Sequence, residues 1–467
     1  MKRHRSRRAP SPFPGLSPRC KPTTHDPRRP AAALIFVLWS IALLSLLAGG
    51  LSFAIRQDMT ISGIQRDRLT AHWAARAGVE TAVATIMDQT SSVQAETDLW
   101  YDDPVTMQDI RLTGGRFSVF HGNYGDLPQI QYGASDENAK LNVNNASREQ
   151  LMKLPHMTSY IAGAIIEWRG GNTNQESQAD GVGRGYYTGL AHPYTMRDGP
   201  VKTVRELLLV RGVTPELLYG EDANGNEILD PNEDDGDASD PPDNADGRLD
   251  RGWFSYLTAY SYEKNINASG QKRLNLSSAD ANTLKSRLGL PRWAAESIVK
   301  AREQKKFEHL ADLLDVQRDP SIAIDLSEES SDSPANDQPV TASVFASIVD
   351  DLTLKDAETL PGRVNINTAP RAVIRALPDV GDELADAIVR YREGGGVYTS
   401  IGDLLSISGM TKDRFAKLED SVTVRSWVFR IQSHGYTESG LAEATIECVV
   451  DRGSKVPRIL YWLESSP

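Results

Sequence analysis

The sequence predicts an α+β chain in which one long N-terminal helix and a small antiparallel β-sheet frame a large inserted helical domain. Three observations carry that expectation. An uncharged apolar run near the start passes into helical periodicity. Stretches of alternating apolar residues occur shortly after that helix and again at the far end of the chain. Between them, one helical pattern recurs three times at a constant spacing. At 467 residues the chain is also longer than one ordinary core requires.

Residues 31–55, AAALIFVLWSIALLSLLAGGLSFAI, contain no charge. At ~1.5 Å rise per residue they make roughly 37 Å of helix, enough to cross a ~30 Å hydrocarbon core. Residues 1–30 carry nine Lys or Arg and one acid, Asp26. That bias keeps the N-terminus cytoplasmic and places the body on the opposite side of the membrane. The body holds 42 basic and 62 acidic side chains, a net charge of −20, which suits a phosphate backbone poorly. Cys20 and Cys448 fall on opposite sides of such a span, so no disulfide is expected. Leu69, Trp73, Val79, Val83 and Ile86 continue the helical spacing to about residue 88. One helix is therefore expected, its second half packing on a soluble domain, unless Gly49-Gly50 or Gly63 breaks it.

The sheet is expected from GGRFSVFHG at 114–122 and from three alternating runs near the C-terminus. These are Trp427, Phe429 and Ile431, then Ala444, Ile446, Cys448 and Val450, then Ile459, Tyr461 and Leu463. They would complete the sheet against the long helix.

The helical pattern begins at Lys140, Arg273 and Gly362. Aligning Asn142, Asn275 and Asn365 puts Arg169, Arg302 and Arg392 in register, each 27 residues later, and Ala146, Ala279 and Ala369 coincide. Glu206-Leu207-Leu208, Asp312-Leu313-Leu314 and Asp403-Leu404-Leu405 follow in turn. Ser147, Asp280 and Pro370 stand where a helix should start. The asparagines suit backbone capping, and the arginines suit ties from helix C-termini to neighbouring carboxylates or carbonyls.

In the third copy, LPDVGDELADAIV looks like a helix-hairpin-helix motif. Phosphate binding by such hairpins needs glycines that let the backbone approach. The turns instead read Leu154-Pro155-His156-Met157-Thr158, Gly289-Leu290-Pro291 and Asp379-Val380-Gly381. No copy keeps both glycines, Pro291 has lost its N–H, and Asp379 would repel phosphate. A scaffold or partner surface is expected, and no nucleic acid.

Residues 221–250 contain twelve Asp or Glu against one Arg. A solvated linker has that composition. The spacing points further, to calcium. Asp222, Asn224, Asn226, Ile228, Asp230 and Glu233 fall at positions 1, 3, 5, 7, 9 and 12 of an EF-hand-like loop, with Ile228 offering its carbonyl. Glu227 replaces the usual glycine at position 6. Asn244, Asp246 and Asp250 repeat positions 3, 5 and 9, with Gly247 at position 6 and Asp243 or Asp240 to replace Pro242 at position 1. Mg²⁺ fits less well, because it demands a tight octahedron and keeps waters. No HExxH, P-loop or nucleophile elbow is present, and no catalytic residues are expected.

The basic leader, small residue, apolar stem and amphipathic continuation resemble a type IV pilin-like protein. That resemblance implies cleavage by a prepilin peptidase between Ala31 and Ala32, with N-methylation of the new end. Ala31 replaces the usual glycine, and Phe36 stands at the fifth mature position where most pilins carry Glu. The missing Glu resembles the minor pseudopilin K of type II secretion. DENAKLNVNNA at 136–146, VKTVRELLLVRGVTPELLYGED at 201–222 and WFSYLTAYS at 253–261 look like that family's segments.

The resemblance implies a pilin-like fold with a helical domain inserted, structural Ca²⁺, and a place at the pseudopilus tip promoting export of folded proteins. It implies as partners the minor pseudopilins of I and J types, the major pseudopilin and the inner-membrane secretion platform. The expected layout is a cleaved leader 1–31, a transmembrane helix 32–55 and a stem with first strands 56–140. A helical domain with calcium loops, 141–316, an acidic flexible linker 317–350, a third hairpin unit 351–424 and C-terminal strands 425–467 follow. The body would be periplasmic on a single inner-membrane pass. Two other readings are a membrane-anchored DNA-uptake receptor of helix-hairpin-helix type and a calcium-dependent surface protein.

Overall fold

Helix α1 runs unbroken from Arg29 to Asp88 in the computed structural model, through Gly49, Gly50 and Gly63. The structure describes residues 29–89, 91–123, 129–171, 183–238, 242–322 and 338–465. Among them one helix is long and apolar enough to cross a membrane, and its large apolar side chains from Leu34 to Ile55 are exposed. Residues up to Gln65 form a unit separate from the body, which begins at Arg66.

In the body, α1 lies on a six-stranded sheet. Strands β1 (Ile110–Leu112), β2 (Gly115–Val119), β4 (Val428–Thr437), β5 (Glu443–Asp451) and β6 (Arg458–Ser465) are hydrogen-bonded in that order, and β3 (Ser135–Asp136) also pairs with β4. All pairings are antiparallel. Val79 and Ile86 face the sheet as expected, but Leu69 and Trp73 are 58% and 59% exposed. The contact face is made of small residues instead: Ala71, Ala74, Ala75 and Ala82 are buried. A Cβ on Gly78 would fall 2.2 Å from Ser433 Oγ, and one on Gly435 2.1 Å from Ala71 O. Helix and sheet are too close there for larger side chains, which turns Leu69 and Trp73 outward.

A second correction concerns β6. A register shift between Val449 and Val450 leaves Trp462, rather than Tyr461 or Leu463, packed on the core under α1. Ile459 and Leu463 are exposed.

The helical domain builds a separate core. Two-residue strands Leu141–Asn142, Leu274–Asn275 and Val364–Asn365 each pair in parallel with a distant Leu257–Thr258, Leu352–Thr353 or Val422–Thr423. Each asparagine Oδ1 accepts the N–H two residues on, from Asn144 (2.9 Å), Ser277 (2.9 Å) and Asn367 (3.0 Å). The helix pairs follow: Arg148–Met152 with Ser159–Trp168, Ala281–Leu288 with Arg292–Gln304, and Arg371–Ala376 with Asp382–Glu393. Ser147 and Asp280 cap their helices by accepting N–H groups, and Pro370 holds the same position in the third.

The registered arginines reach back across each unit to main-chain carbonyls, and so tie the second helix to the turn before the first. Arg169 donates to Val143 O and Ala146 O, Arg302 to Leu276 O (2.8 Å) and Ala279 O (2.7 Å), and Arg392 to Ile366 O (3.1 Å) and Ala369 O (2.8 Å). Beyond the arginine, Asn144 exchanges two hydrogen bonds with Val201, and Asn367 does the same with Tyr398.

The expected linker 317–350 is ordered at its end. Ala342–Ile348 is a helix, and Phe345 is fully buried in the helical core. An apolar face on a short helix outweighs the acidic composition before it. Within SEESSDSPANDQP only Gln338 and Pro339 fall among the described residues.

Candidate metal centre in the acidic loops

Each hairpin turn needs one left-handed residue, supplied by His156 (φ 54°), Gly289 (φ 67°) and Asp379 (φ 55°). The next residue, Met157, Leu290 or Val380, is buried beneath it. The carbonyls of Leu377 and Val380 accept from Lys153 Nζ (2.9 and 3.3 Å), and Asp379 pairs with Lys417 (3.1 Å). Trp253 Nε1 donates to Pro155 O (2.7 Å) in the first turn. The first and third turns are thus engaged by the protein itself.

The acidic segment folds into two loops built alike. In the first, Asp222 accepts from the N–H groups of Asn226 (3.0 Å) and Glu227 (2.9 Å). Asn224 Oδ1 accepts from Asn226 N (2.9 Å), and Asn226 Oδ1 from Ile228 N (2.8 Å). Both asparagine amides donate to Asp230 Oδ2 (2.7 and 2.8 Å). Glu233 closes the loop by accepting from Asp230 N (3.1 Å) and Ala223 N (3.2 Å). Those bonds gather all five predicted side chains, and the carbonyl of Ile228 belongs to the same turn.

In the second loop, Asn244 accepts from Asp246 N (2.9 Å), Asp246 from Arg248 N (2.9 Å), and Asn244 Nδ2 donates to Asp250 Oδ2 (3.1 Å). Position 1 is not filled by Asp243. Asp243 holds the N–H groups of Asp235, Gly236 and Ala245 in a local turn, and Asp240 lies outside the described residues. Asp234 takes the role, accepting from Gly247 N (2.9 Å) as Asp222 does from Glu227 N. Glu221 takes position 12, accepting from Asp250 N (2.8 Å) and Asn244 N (3.2 Å).

The two loops therefore exchange ends. Asp222 opens the first and Glu221 closes the second; Glu233 closes the first and Asp234 opens the second. The signal was in the sequence as a Glu-Asp dipeptide at 221–222 and again at 233–234. Contiguous counting missed it.

Both loops are left-handed at position 4, at Gly225 (φ 71°) and Ala245 (φ 50°), and at position 6, at Glu227 (φ 63°) and Gly247 (φ 75°). Burial, then the charge of Glu227, pushes Asp222 up to about 6. Burial, then the charges of Asp222 and Asp230, pushes Glu233 up to about 7. A divalent cation would relieve that crowding. Among the described residues no group of three or more His, Cys, Asp or Glu side chains could hold a metal by itself. The donor sets draw instead on asparagine and main-chain oxygens, the chemistry hard cations take. Ala31 and Ala32 lie within the backbone of α1, with side chains outside the described residues.

Comparison with known proteins divides along the units. Residues 133–219 match the family model of Type II secretion system (T2SS), protein K, and residues 362–423 match the helix-hairpin-helix motif. ComE operon protein 1 of Bacillus subtilis (strain 168) is 39% identical over 62 residues, 13% of this chain and 30% of that protein. Endonuclease/exonuclease/phosphatase family domain-containing protein 1 of Rattus norvegicus is 31% identical over 153 residues, 30% of this chain and 26% of that protein. The chain thus spans at most about a third of the length of these curated relatives. A chain of the GspK-GspI-GspJ complex from the enterotoxigenic Escherichia coli Type 2 Secretion System superposes with a TM-score of 0.38 at 12% identity, covering 86% of this chain and 99% of that one. The segment that opens the helical domain is similar to protein K of type II secretion, and the third unit carries a helix-hairpin-helix motif.

Proposed function

We infer that this chain is a minor pseudopilin of type II secretion, acting by assembly rather than catalysis. The match of residues 133–219 to protein K carries the reading. A single apolar helix that continues into a sheet-packed stem supports it. On this reading Ala31 and Ala32 flank the prepilin peptidase cut, and a periplasmic body sits on one inner-membrane pass. The protein caps or seeds the pseudopilus with its I- and J-type partners, the major pseudopilin and the inner-membrane platform, and so promotes export of folded proteins. The three strand–hairpin units are copies of one module kept as scaffold, because the first and third hairpin turns are taken up by Trp253, Lys153 and Lys417.

Calcium is the structural cofactor. Asp222, Asn224, Asn226, the Ile228 carbonyl, Asp230 and Glu233 would hold one ion. Asp234, Asn244, Asp246, the Arg248 carbonyl, Asp250 and Glu221 would hold a second.

N-terminal sequencing and mass of the protein extracted from its native membrane test the reading. A chain starting at N-methylated Ala32 that co-purifies with two other pilin-like proteins is expected. An uncut chain that co-purifies with none would overturn it.

A further inference from the structure

Position 6 of the first loop holds a left-handed glutamate where glycine is ordinary. The side chain of Glu227 is buried and lies 3.0 Å from Lys140 Nζ, which is itself fully buried. Burial alone would raise the Glu227 carboxyl, yet Lys140 and His121 hold it below its ordinary value. Lys140 also donates to Phe254 O (3.4 Å) and immediately precedes the strand that opens the first unit.

The main chain of the same loop touches the sheet side of the body. A Cβ on Gly122, beside β2, would fall 1.6 Å from Glu227 O. Gln432 on β4 donates Nε2 to Gly225 O (2.5 Å), and the side chain of Arg251, just after the second loop, donates to Asn123 O (2.5 Å).

We propose that the buried Lys140–Glu227 pair positions the first metal loop, and that cation binding and docking of the loop on the sheet are therefore one coupled equilibrium. The proposal rests on the reading of that loop as a calcium site. Glu227 N–H orients Asp222 at 2.9 Å. Whatever fixes Glu227 thus shapes a metal ligand before the ion arrives, and preorganisation of that kind raises affinity. Linkage makes the effect reciprocal: an ion that orders Asp222 tightens Glu227 against Lys140 and Gly122. The pair is neutral, so removing both partners leaves the formal charge near the ligands unchanged.

The full chain in detergent, and its K140M/E227G variant, can be titrated with Ca²⁺ by calorimetry. Hydrogen exchange of peptides covering 115–123 and 428–437 is followed with and without the ion. The wild type should bind and gain protection in both peptides. The double variant should bind the first ion at least tenfold more weakly and gain none, although the substitution restores the usual glycine. Unchanged exchange in 364–423 shows that the variant is folded. Equal or tighter binding, as expected of a loop that shapes itself, would overturn the coupling. If the double variant does not fold, Gln432→Leu, which touches no ligand, should weaken binding several-fold, and an unaltered affinity would overturn it equally. A wild-type chain with no calcium affinity would sink the metal reading together with this one.

Discussion

In the third helical unit the chain leaves the clamp at Arg392, makes a glycine turn and is caught again at Tyr398 by Asn367. In the first it leaves at Arg169 and travels to Val201 before Asn144 catches it in the same way. The first unit then adds both acidic loops before its closing strand Leu257–Thr258, whereas the third closes directly at Val422–Thr423. What the two share is a set of polar ties at fixed places. What differs is what hangs between those ties. The shared part makes the module, and the suspended part gives the first unit its two acidic loops.

The residue before each opening strand is a cation, and its partner marks the same division. Arg273 and Arg363 share the buried Glu263 (2.7 and 2.9 Å), with Arg425 nearby, whereas Lys140 pairs with Glu227 of the first acidic loop. Burial would raise the Glu263 carboxyl, but the arginines hold it down at about 2. A depressed carboxyl stabilises the fold above its unfolded value near 4.5, and that stability is lost as pH falls toward 2. The shift corresponds to roughly 3 kcal/mol. Glu263→Gln should be less stable than wild type at neutral pH, and the gap should close between about pH 4.5 and 2 in urea melts. A gap that does not change with pH would place the charge elsewhere.

The asparagines grade the units further. The Asn365 amide donates to Gln94 O, Asp136 and Ser426, all buried, while that of Asn142 donates to Ser261 and that of Asn275, among the described residues, only to the exposed Asp356. Substitution by Ala should cost about 3, 2 and 1 kcal/mol in that order, read from denaturant midpoints. If the arginine clamp is common to all three units, Arg169→Met, Arg302→Met and Arg392→Met should each cost about 2 kcal/mol. Widely different values would show that the clamp is not shared.

The smallest effect is expected at the third turn. Asp379→Gly relieves a left-handed residue but loses an exposed pair with Lys417, so stability should move by less than about 1 kcal/mol. It should create no affinity for duplex DNA in fluorescence anisotropy, because the body's net charge of −20 still repels a phosphate backbone.

The long helix, the C-terminal strands and the Asn–Arg register were legible in the sequence, because period and spacing are local. Three things were not. The closing Leu-Thr and Val-Thr strands stand at a different distance from the asparagine in each unit, so no fixed offset reveals them. The contact face of α1 is alanine and glycine, and a search for large apolar residues points to the wrong side, at Leu69 and Trp73. In the acidic loops, five side chains of the first set were read directly. Glu221 and Asp234 were missed because each serves the loop it does not belong to by count.

The matched catches at Val201 and Tyr398 have a practical side. A chain held at Arg392 and regained at Tyr398 is indifferent to the length of the thread between, as the first unit already demonstrates with its own detour. The glycines at 394–396 are therefore a natural grafting point, where a fluorescent reporter or an affinity handle could be spliced into the body without touching a helix, a strand or either acidic loop.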